Sequence, residues 1–433
     1  MTAARAVALE ALVRIDEGAF SHILVPDLLR RSHLAPRDRA LVTAFVYGTL
    51  RMQRILDDAL AAVSTRPMTE LDPPVRAALR LGAFQLFDGV APHAAVGETV
   101  DVVPGRARGF VNGVLRALAR RNPRWPRVDD ATRDADLGAS TSHPDWLVER
   151  LLSEFGRPDT VATLTVDNEP PPVTLRPNPL RTSPGALLDE LEQARISAAP
   201  GTLHPDAIVL GHAGDPSAIA AVRHGQATPQ DQASQAVVAV LDPHAGERIA
   251  DLAAAPGGKA TAAAERMADT GLVVASDVHA GRVQFVARAG SRLGLGTVQP
   301  LVADGRIPPF APNTFDRVLL DAPCSGLGVL RRRPEARWRI TPAAVEQLAA
   351  LQRALLASAA SLVRPGGRLV YSVCTVSREE TIAIDEWTRD ALEGFRALPP
   401  PAEPWRPHGR GALVLPHDAG TDGMFVLVLE KAG

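Results

Sequence analysis

The sequence predicts a multidomain chain: an all-α N-terminal domain, then an α/β domain on a mostly parallel sheet that closes with an antiparallel hairpin. Three observations predict it. Apolar residues recur at helical spacing through the first 125 or so positions. From about residue 246 apolar strands alternate with helices, the signature of a parallel sheet covered on both faces. At the end, Gly411–Leu415 and Gly423–Lys431 read as two strands of a hairpin. A length of 433 residues accommodates two or three domains.

The N-terminal elements follow from spacing. Val7, Leu9, Leu12, Val13 and Ile15 make one amphipathic helix. Leu41, Phe45, Val46, Leu50, Ile55 and Leu60 carry helical periodicity through 38–62. Val75, Leu79, Leu81, Phe84 and Phe87 carry it through 75–90, where Pro73 and Pro74 suit a helix start. Phe110, Val111, Val114, Leu115 and Leu118 predict a helix over 108–121. The helical domain is assigned 1–128. Residues 129–145, in a stretch rich in Pro, Asp, Arg and Ser, are assigned as a linker. Residues 146–240 form a small α/β subdomain: a helix near 145–155, a strand at 173–176, a helix at 184–194 and a strand at 207–210. The last domain, 241–433, alternates strands (247–253, 271–276, 298–303, 316–321, 367–373) with helices (259–268, 279–292, 342–362, 378–393).

Composition excludes several classes. Hydrophobic content of 46% and charged content of 22% are those of an ordinary globular protein. The net charge of −2 does not announce nucleic acid, although residues 1–140 hold 19 Arg against 16 Asp and Glu, a local positive excess. Lysine is nearly absent, with Lys259 and Lys431 alone, and the only cysteines are Cys324 and Cys374. Two cysteines cannot make a four-thiolate zinc site and no histidine spacing compensates, so no metal is expected. The N-terminus lacks the uncharged apolar stretch of a signal peptide, and no run of 18 apolar residues exists. A cytoplasmic location, no membrane partner and a monomer are expected.

In open α/β sheets ligands bind beyond the carboxyl ends of the strands. After the first strand comes Asp251-Leu-Ala-Ala-Ala-Pro-Gly-Gly-Lys259, whose Gly257 and Gly258 allow a tight turn and close approach to a ligand at a helix start. After the second, Asp277 lies where a carboxylate suits ribose hydroxyls; it is equally suited to capping the next helix. After the third, Asp304 is placed for the adenine side. The fourth ends in Asp321-Ala-Pro-Cys324 and the fifth in Tyr371-Ser-Val-Cys374. Both thiols therefore fall over one expected cleft.

Two thiols over one cleft suit methylation of cytosine carbon 5. That carbon is too weakly nucleophilic to accept a methyl group from S-adenosylmethionine until a thiolate adds to carbon 6. Asp321 is placed to bond the cytosine edge at N3 and N4. Lys259 is placed to orient the base or stabilise the adduct.

Together these segments resemble the Sun/RsmB-type RNA cytosine-5 methyltransferases, the bacterial branch of the NSUN-like family. The resemblance implies a Rossmann-like S-adenosylmethionine-dependent methyltransferase domain. Its cofactor motif corresponds to 251–259, which adds Ala253, Ala254, Ala255, Pro256, Gly257, Gly258 and Lys259 to Asp277, Asp304 and Asp321 as cofactor-binding candidates. It implies that Cys374 is the nucleophile, that Cys324 helps release the product, and that Asp321 and Lys259 serve catalysis. Gln230-Asp-Gln-Ala-Ser234 and Asp422-Gly-Met-Phe425 also resemble family segments. Two departures stand out: Ala253 replaces a usual cysteine, and Val373 replaces a common threonine. Arg37-Asp-Arg-Ala-Leu-Val, Val46-Tyr-Gly-Thr-Leu-Arg51, Leu79-Arg-Leu-Gly-Ala-Phe-Gln85 and Arg108-Gly-Phe-Val-Asn-Gly-Val-Leu-Arg116 resemble a NusB-like helical domain. That implies small-subunit (16S) ribosomal RNA as the substrate.

Two arginine runs fit an RNA partner. Arg106, Arg108, Arg116, Arg120, Arg121, Arg124 and Arg127 form the first. Arg331, Arg332, Arg333, Arg337 and Arg339, with Trp338 among them, form the second, of which Arg331, Arg332, Arg333 and Arg337 are candidate RNA contacts. Two other readings stay open. One is a non-catalytic RNA-binding adaptor. The other is a tRNA or DNA cytosine methylase, the DNA enzymes placing their nucleophile in the motif that here holds Cys324.

Overall fold

The computed structural model describes residues 2–211 and 214–433. These divide into two compact units. One runs to Pro170 and includes Leu330–Arg339; the other comprises Pro171–Val329 and Ile340–Gly433.

The first unit is helical, with helices Thr2–Asp16, Ser21–Arg31, Pro36–Arg51, Gln53–Ala61, Pro73–Phe87, Pro92–Asp101 and Arg108–Arg120 around one apolar core. Helix Pro73–Phe87 lies at its centre. It starts on two prolines and buries an almost unbroken run from Ala77 to Leu86, as expected of a helix apolar all round. Its one fully buried polar side chain in that run, Gln85, accepts from Arg5 Nε at 2.7 Å and donates to Thr99 Oγ1 at 3.0 Å. Gly82 is a contact point: a Cβ there would lie 2.4 Å from Leu115 Cδ1. The helix predicted over 38–62 is two helices, because Met52 leaves the helical region at ψ 15° and redirects the chain. Apolar spacing continues across a break of one residue and does not register it.

Residues 134–141 of the expected linker are helical, and the helix expected near 145–155 runs from Asp145 to Val166, bending at Gly156. Both belong to the helical unit.

So does Leu330–Arg339. Arg337 is fully buried and donates to the carbonyls of Arg51, Ser142 and Asp167 and to Asn168 Oδ1, at 2.6–3.2 Å. Burial lowers its pKa to about 10. Arg331, also buried, donates to the carbonyl of Pro170 at 2.9 Å. Glu335 accepts from the backbone and hydroxyl of Ser21 at 3.0 and 2.7 Å. A guanidinium enclosed by protein carbonyls has no path to a phosphate. The expectation that Arg331 and Arg337 contact RNA is therefore corrected: they hold a loop inside the helical unit. Arg332 and Arg333 are half-buried.

The second unit contains two sheets. Strands β1 (Val173–Pro177), β2 (Ala198–Pro200), β3 (Ile208–Leu210) and β4 (Ala227–Pro229) form an antiparallel sheet in the order β2-β3-β1-β4. The large sheet comprises β5 (Arg248–Asp251), β6 (Leu272–Asp277), β7 (Val298–Val302), β8 (Phe315–Asp321), β9 (Val363–Val373), β10 (Phe395–Ala397), β11 (Arg406–His408), β12 (Gly411–Val414) and β13 (Met424–Lys431). Its order is β11-β12-β13-β9-β8-β5-β6-β7, with β10 beside β13. The strands β7-β6-β5-β8-β9 are parallel. β13 joins β9 antiparallel and β12 joins β13, which is the predicted hairpin. Strands β5, β8 and β9 are apolar on both faces because helices cover both. The chain runs from β5 outward through β6 and β7, then returns to the other side of β5 as β8. That reversal falls at β5 and β8, and such sheets bind ligands at the carboxyl ends of the strands flanking it.

Candidate active site

The turn after β5 begins at Asp251 and enters helix Gly258–Arg266 through Gly257. Gly257 has φ +107°, and a Cβ would lie 3.0 Å from Val286 Cα, so only glycine meets both demands. The turn carries Ala253, Ala254, Ala255 and Pro256 and is pinned by Ala254 N donating to Ser276 O at 2.8 Å. Arg176 of β1, not noticed in the sequence, secures the helix from outside. It pairs with Glu265 at 2.9 Å and donates to Gly258 O at 2.7 Å.

This helix start delivers Lys259, 9% exposed, to Asp321 at the end of β8, with Nζ 2.6 Å from Oδ2. Ser372 Oγ donates to the other carboxylate oxygen at 2.8 Å, so Asp321 is held on both sides. Burial opposes the charge on Lys259, but Asp321 outweighs it, and the pKa of the amine lies above its ordinary value. Asp251, 1% exposed, is pushed up to about 7 by burial and then by the charge of Asp321.

Cys324 follows β8 and Cys374 follows β9, adjacent parallel strands, and their sulfurs are 3.4 Å apart. Both are free and half-buried. The hydrogen bond to Cys374, then burial, then neighbouring negative charges push the Cys324 thiol well above its ordinary range. A thiol so placed keeps its proton at neutral pH.

The structure thus brings together Cys324, Cys374, Asp321 and Lys259. Asp277 ends β6, one strand away from β5; its carboxylate accepts from His279 N at 2.9 Å and pairs with Arg282 at 3.2 Å. Asp304 lies beyond β7 and is paired with Arg306 at 2.6 Å, whose hydrogen bonds bring its pKa to about 2. Val278 and Val302, beside these two aspartates, are more than half exposed. Behind the thiols, Ser325, Gln352, Tyr371, Thr375 and Glu380 form a buried polar network that sequence reasoning missed. The one available signal was a hydroxyl residue directly after each cysteine, followed by Glu380. Among the described residues no group of three or more His, Cys, Asp or Glu is placed to hold a metal. Among them no helix is long and apolar enough to cross a membrane.

Comparison with known proteins agrees with this geometry. Residues 238–430 match the model of the 16S rRNA methyltransferase RsmB/F family, 2–120 that of the NusB family, and 143–216 that of the RsmF/B-like ferredoxin-like domain. A Bacillus subtilis (strain 168) protein described as "Probable ribosomal RNA small subunit methyltransferase B" is 34% identical over 449 residues, covering 100% of this chain and 99% of its own. A Synechocystis protein of the same description is 36% identical over 451 residues, covering 100% of both. The crystal structure of the protein PH0851 superposes with a TM-score of 0.87 at 27% identity, covering 100% of this chain and 99% of its own. With the helical domain, the ferredoxin-like segment and the methyltransferase domain all matched in order, the chain belongs to the RsmB/F family of 16S ribosomal RNA methyltransferases.

Proposed function

We propose that this chain methylates carbon 5 of a cytosine in small-subunit ribosomal RNA, with Cys374 as the nucleophile and S-adenosylmethionine as methyl donor. The observation that carries the proposal is the pair of thiols 3.4 Å apart beside the Lys259–Asp321 ion pair. Neither an RNA adaptor nor a metal enzyme needs such a pair.

The residues present fit the donor. Gly257 lets the turn pack directly against Val286 and enter the helix whose free N–H groups face a ligand, and the exposed faces of Val278 and Val302 suit a flat purine. Asp277 is placed for the ribose and Asp304 for the adenine side. When bound, S-adenosylmethionine supplies a methyl group on a sulfonium.

The Cys374 thiolate adds to carbon 6 of the flipped-out base, forming a carbon–sulfur bond and moving the ring electrons towards carbon 5 and N3. Asp321, fixed by Lys259 and Ser372 and still 32% exposed, accepts from the N4 amino group and orients the ring, while the positive charge of Lys259 offsets the negative charge that develops on it. Carbon 5 then takes the methyl group, whose bond to the sulfonium sulfur breaks as the neutral thioether leaves. Loss of the carbon-5 proton restores the 5,6 double bond as the Cys374–carbon 6 bond breaks. Cys324, holding its proton beside Cys374, gives that proton to the departing thiolate and, as the thiolate so formed, takes the proton lost from carbon 5.

The test uses unmethylated small-subunit rRNA, labelled S-adenosylmethionine, and nucleoside mass spectrometry. Wild-type protein yields 5-methylcytosine, Cys374→Ala yields none, and Cys324→Ala accumulates an enzyme–RNA adduct stable to denaturing gels. Absence of 5-methylcytosine, or an active Cys374→Ala, overturns the proposal. Exchange of the two phenotypes reverses the roles of the cysteines.

A further inference from the structure

We propose that Glu380 is a positioning residue that holds the two thiols in register by clamping Ser325, directly after Cys324, and Ser377, on the turn after Cys374; the inference rests on the assignment of Cys324 and Cys374 to one reaction.

Cys324 and Cys374 lie 50 positions apart and sit on loops leaving different strands. The β8–β9 ladder reaches Asp321 and Ser372, and two backbone bonds, Ala322 N to Ser372 O at 2.9 Å and Gly328 N to Cys374 O at 3.0 Å, bring the loops together. The next residues add side-chain links that set the thiols against each other. Ser325 Oγ and Thr375 Oγ1, both buried, are 2.8 Å apart, so one hydroxyl pair ties the two loops together. Glu380, fully buried, sits beneath that pair. Its carboxylate accepts from Ser325 N at 2.9 Å, from Ser325 Oγ, and from Ser377 Oγ at 2.9 Å. Gln352 Nε2 donates to the same carboxylate at 2.9 Å and to Pro323 O, also at 2.9 Å, so the Cys324 loop is gripped on both sides of the cysteine. The Tyr371 hydroxyl, near Gln352 Oε1 and Glu380 O, closes the network.

A carboxylate fully out of water is costly unless its lone pairs are filled. Here four donors fill them, and three belong to the loop after Cys324 or to the turn after Cys374. The same negative charge lies close enough to Cys324 to favour its protonated form. One buried group therefore serves separation and proton occupancy together. Removing it lets two loops drift, and a misplacement of ~1 Å can cost ~100-fold in rate.

The first measurement needs neither RNA nor cofactor. Full-length protein is treated with diamide, an azo oxidant that takes one hydrogen from each thiol and becomes the hydrazine while the sulfurs form a disulfide. Closure is followed by intact mass. Glu380→Ala should slow closure about tenfold or more, because thiols held in contact react faster than thiols on loose loops. Leu356→Ala, which opens a cavity in the helix Pro342–Leu362, serves as the stability control and should close at the wild-type rate. Glu380→Gln preserves shape and removes charge, so alkylation of Cys324 should begin at lower pH than in wild type. Thr375→Val cuts the hydroxyl link without touching Glu380 and should also slow closure, which keeps the test decisive if Glu380→Ala fails to fold. In turnover, Glu380→Gln should lower kcat about tenfold or more with KM for RNA within about twofold.

Wild-type closure rates in Glu380→Ala and Thr375→Val, with an unmoved alkylation profile in Glu380→Gln, overturn the inference whatever the methylation assay shows. Slowed closure in a protein that makes no 5-methylcytosine would instead sustain the clamp and remove the proposed reaction.

Discussion

Two arginine-rich segments of the helical unit look alike in sequence and differ in every physical respect. In the first, Arg106, Arg108, Arg116, Arg120, Arg124 and Arg127 are all exposed, on helix Arg108–Arg120 and the segments flanking it. The helix buries Val111, Val114, Leu115 and Leu118 and turns its arginines outward. In the second, Arg331 and Arg337 are buried, and the Arg337 guanidinium is occupied by four protein acceptors. Charge density along a chain reports neither state. What separates them is whether the arginines alternate with an apolar stripe that can be buried in their place. The 108–120 segment has such a stripe. The 331–339 segment has none, so its anchoring falls to the arginines themselves.

The largest expected effect breaks the buried member. Arg337→Ala would leave three carbonyls and an amide oxygen without donors, each costing about 1–3 kcal/mol. The helical unit should lose at least about 4 kcal/mol, seen as a fall in Tm of about 10 °C or more. Arg337→Lys should rescue little, since one ammonium cannot reach four divergent acceptors. A Tm within about 2 °C of wild type would mean the network is dispensable. Next in size, the exposed member should respond without unfolding. Arg116→Ala, Arg120→Ala, Arg124→Ala and Arg127→Ala combined should leave Tm unchanged and raise KM for rRNA roughly 10–100-fold. The loss should shrink as salt rises, because counterion release supplies the lost affinity. An unchanged KM would place the RNA on another face.

The same distinction explains what was legible in the sequence. The parallel sheet, the Gly257 turn, and Asp277, Asp304, Asp321, Cys324 and Cys374 at strand ends were readable, because strand period and turn chemistry are local. The break at Met52 was not, since the apolar pattern runs through it unaltered. Glu380 was not, because its partners Ser325 and Gln352 lie 55 and 28 positions away and only the fold brings them together. Arg331 and Arg337 misled for the same reason: burial of a charge depends on distant carbonyls, which a sequence does not display.

Buried charge in the second unit allows a smaller, pH-dependent test. Asp251 ionises near 3.9 in an unfolded chain but at about 7 in the folded protein. Its folded-state pKa is raised, so its contribution to stability is full below about pH 4 and is lost as pH climbs towards 7. Asp251→Asn removes that loss. The variant should gain on wild type between pH 5 and pH 8, by about 1–2 kcal/mol after the cost of a buried amide. A Tm difference that stays flat across that range would show that the carboxyl ionises in the fold as readily as in the unfolded chain. Smallest of all is a single exposed arginine. Arg124→Ala should leave Tm unmoved, raise KM for rRNA no more than about threefold, and reduce the salt slope by about one. A larger effect from this one residue would mean that Arg124 meets a specific feature of the RNA rather than sharing a diffuse field. The exposed segment would then be as individually committed as Arg337 is in the buried one.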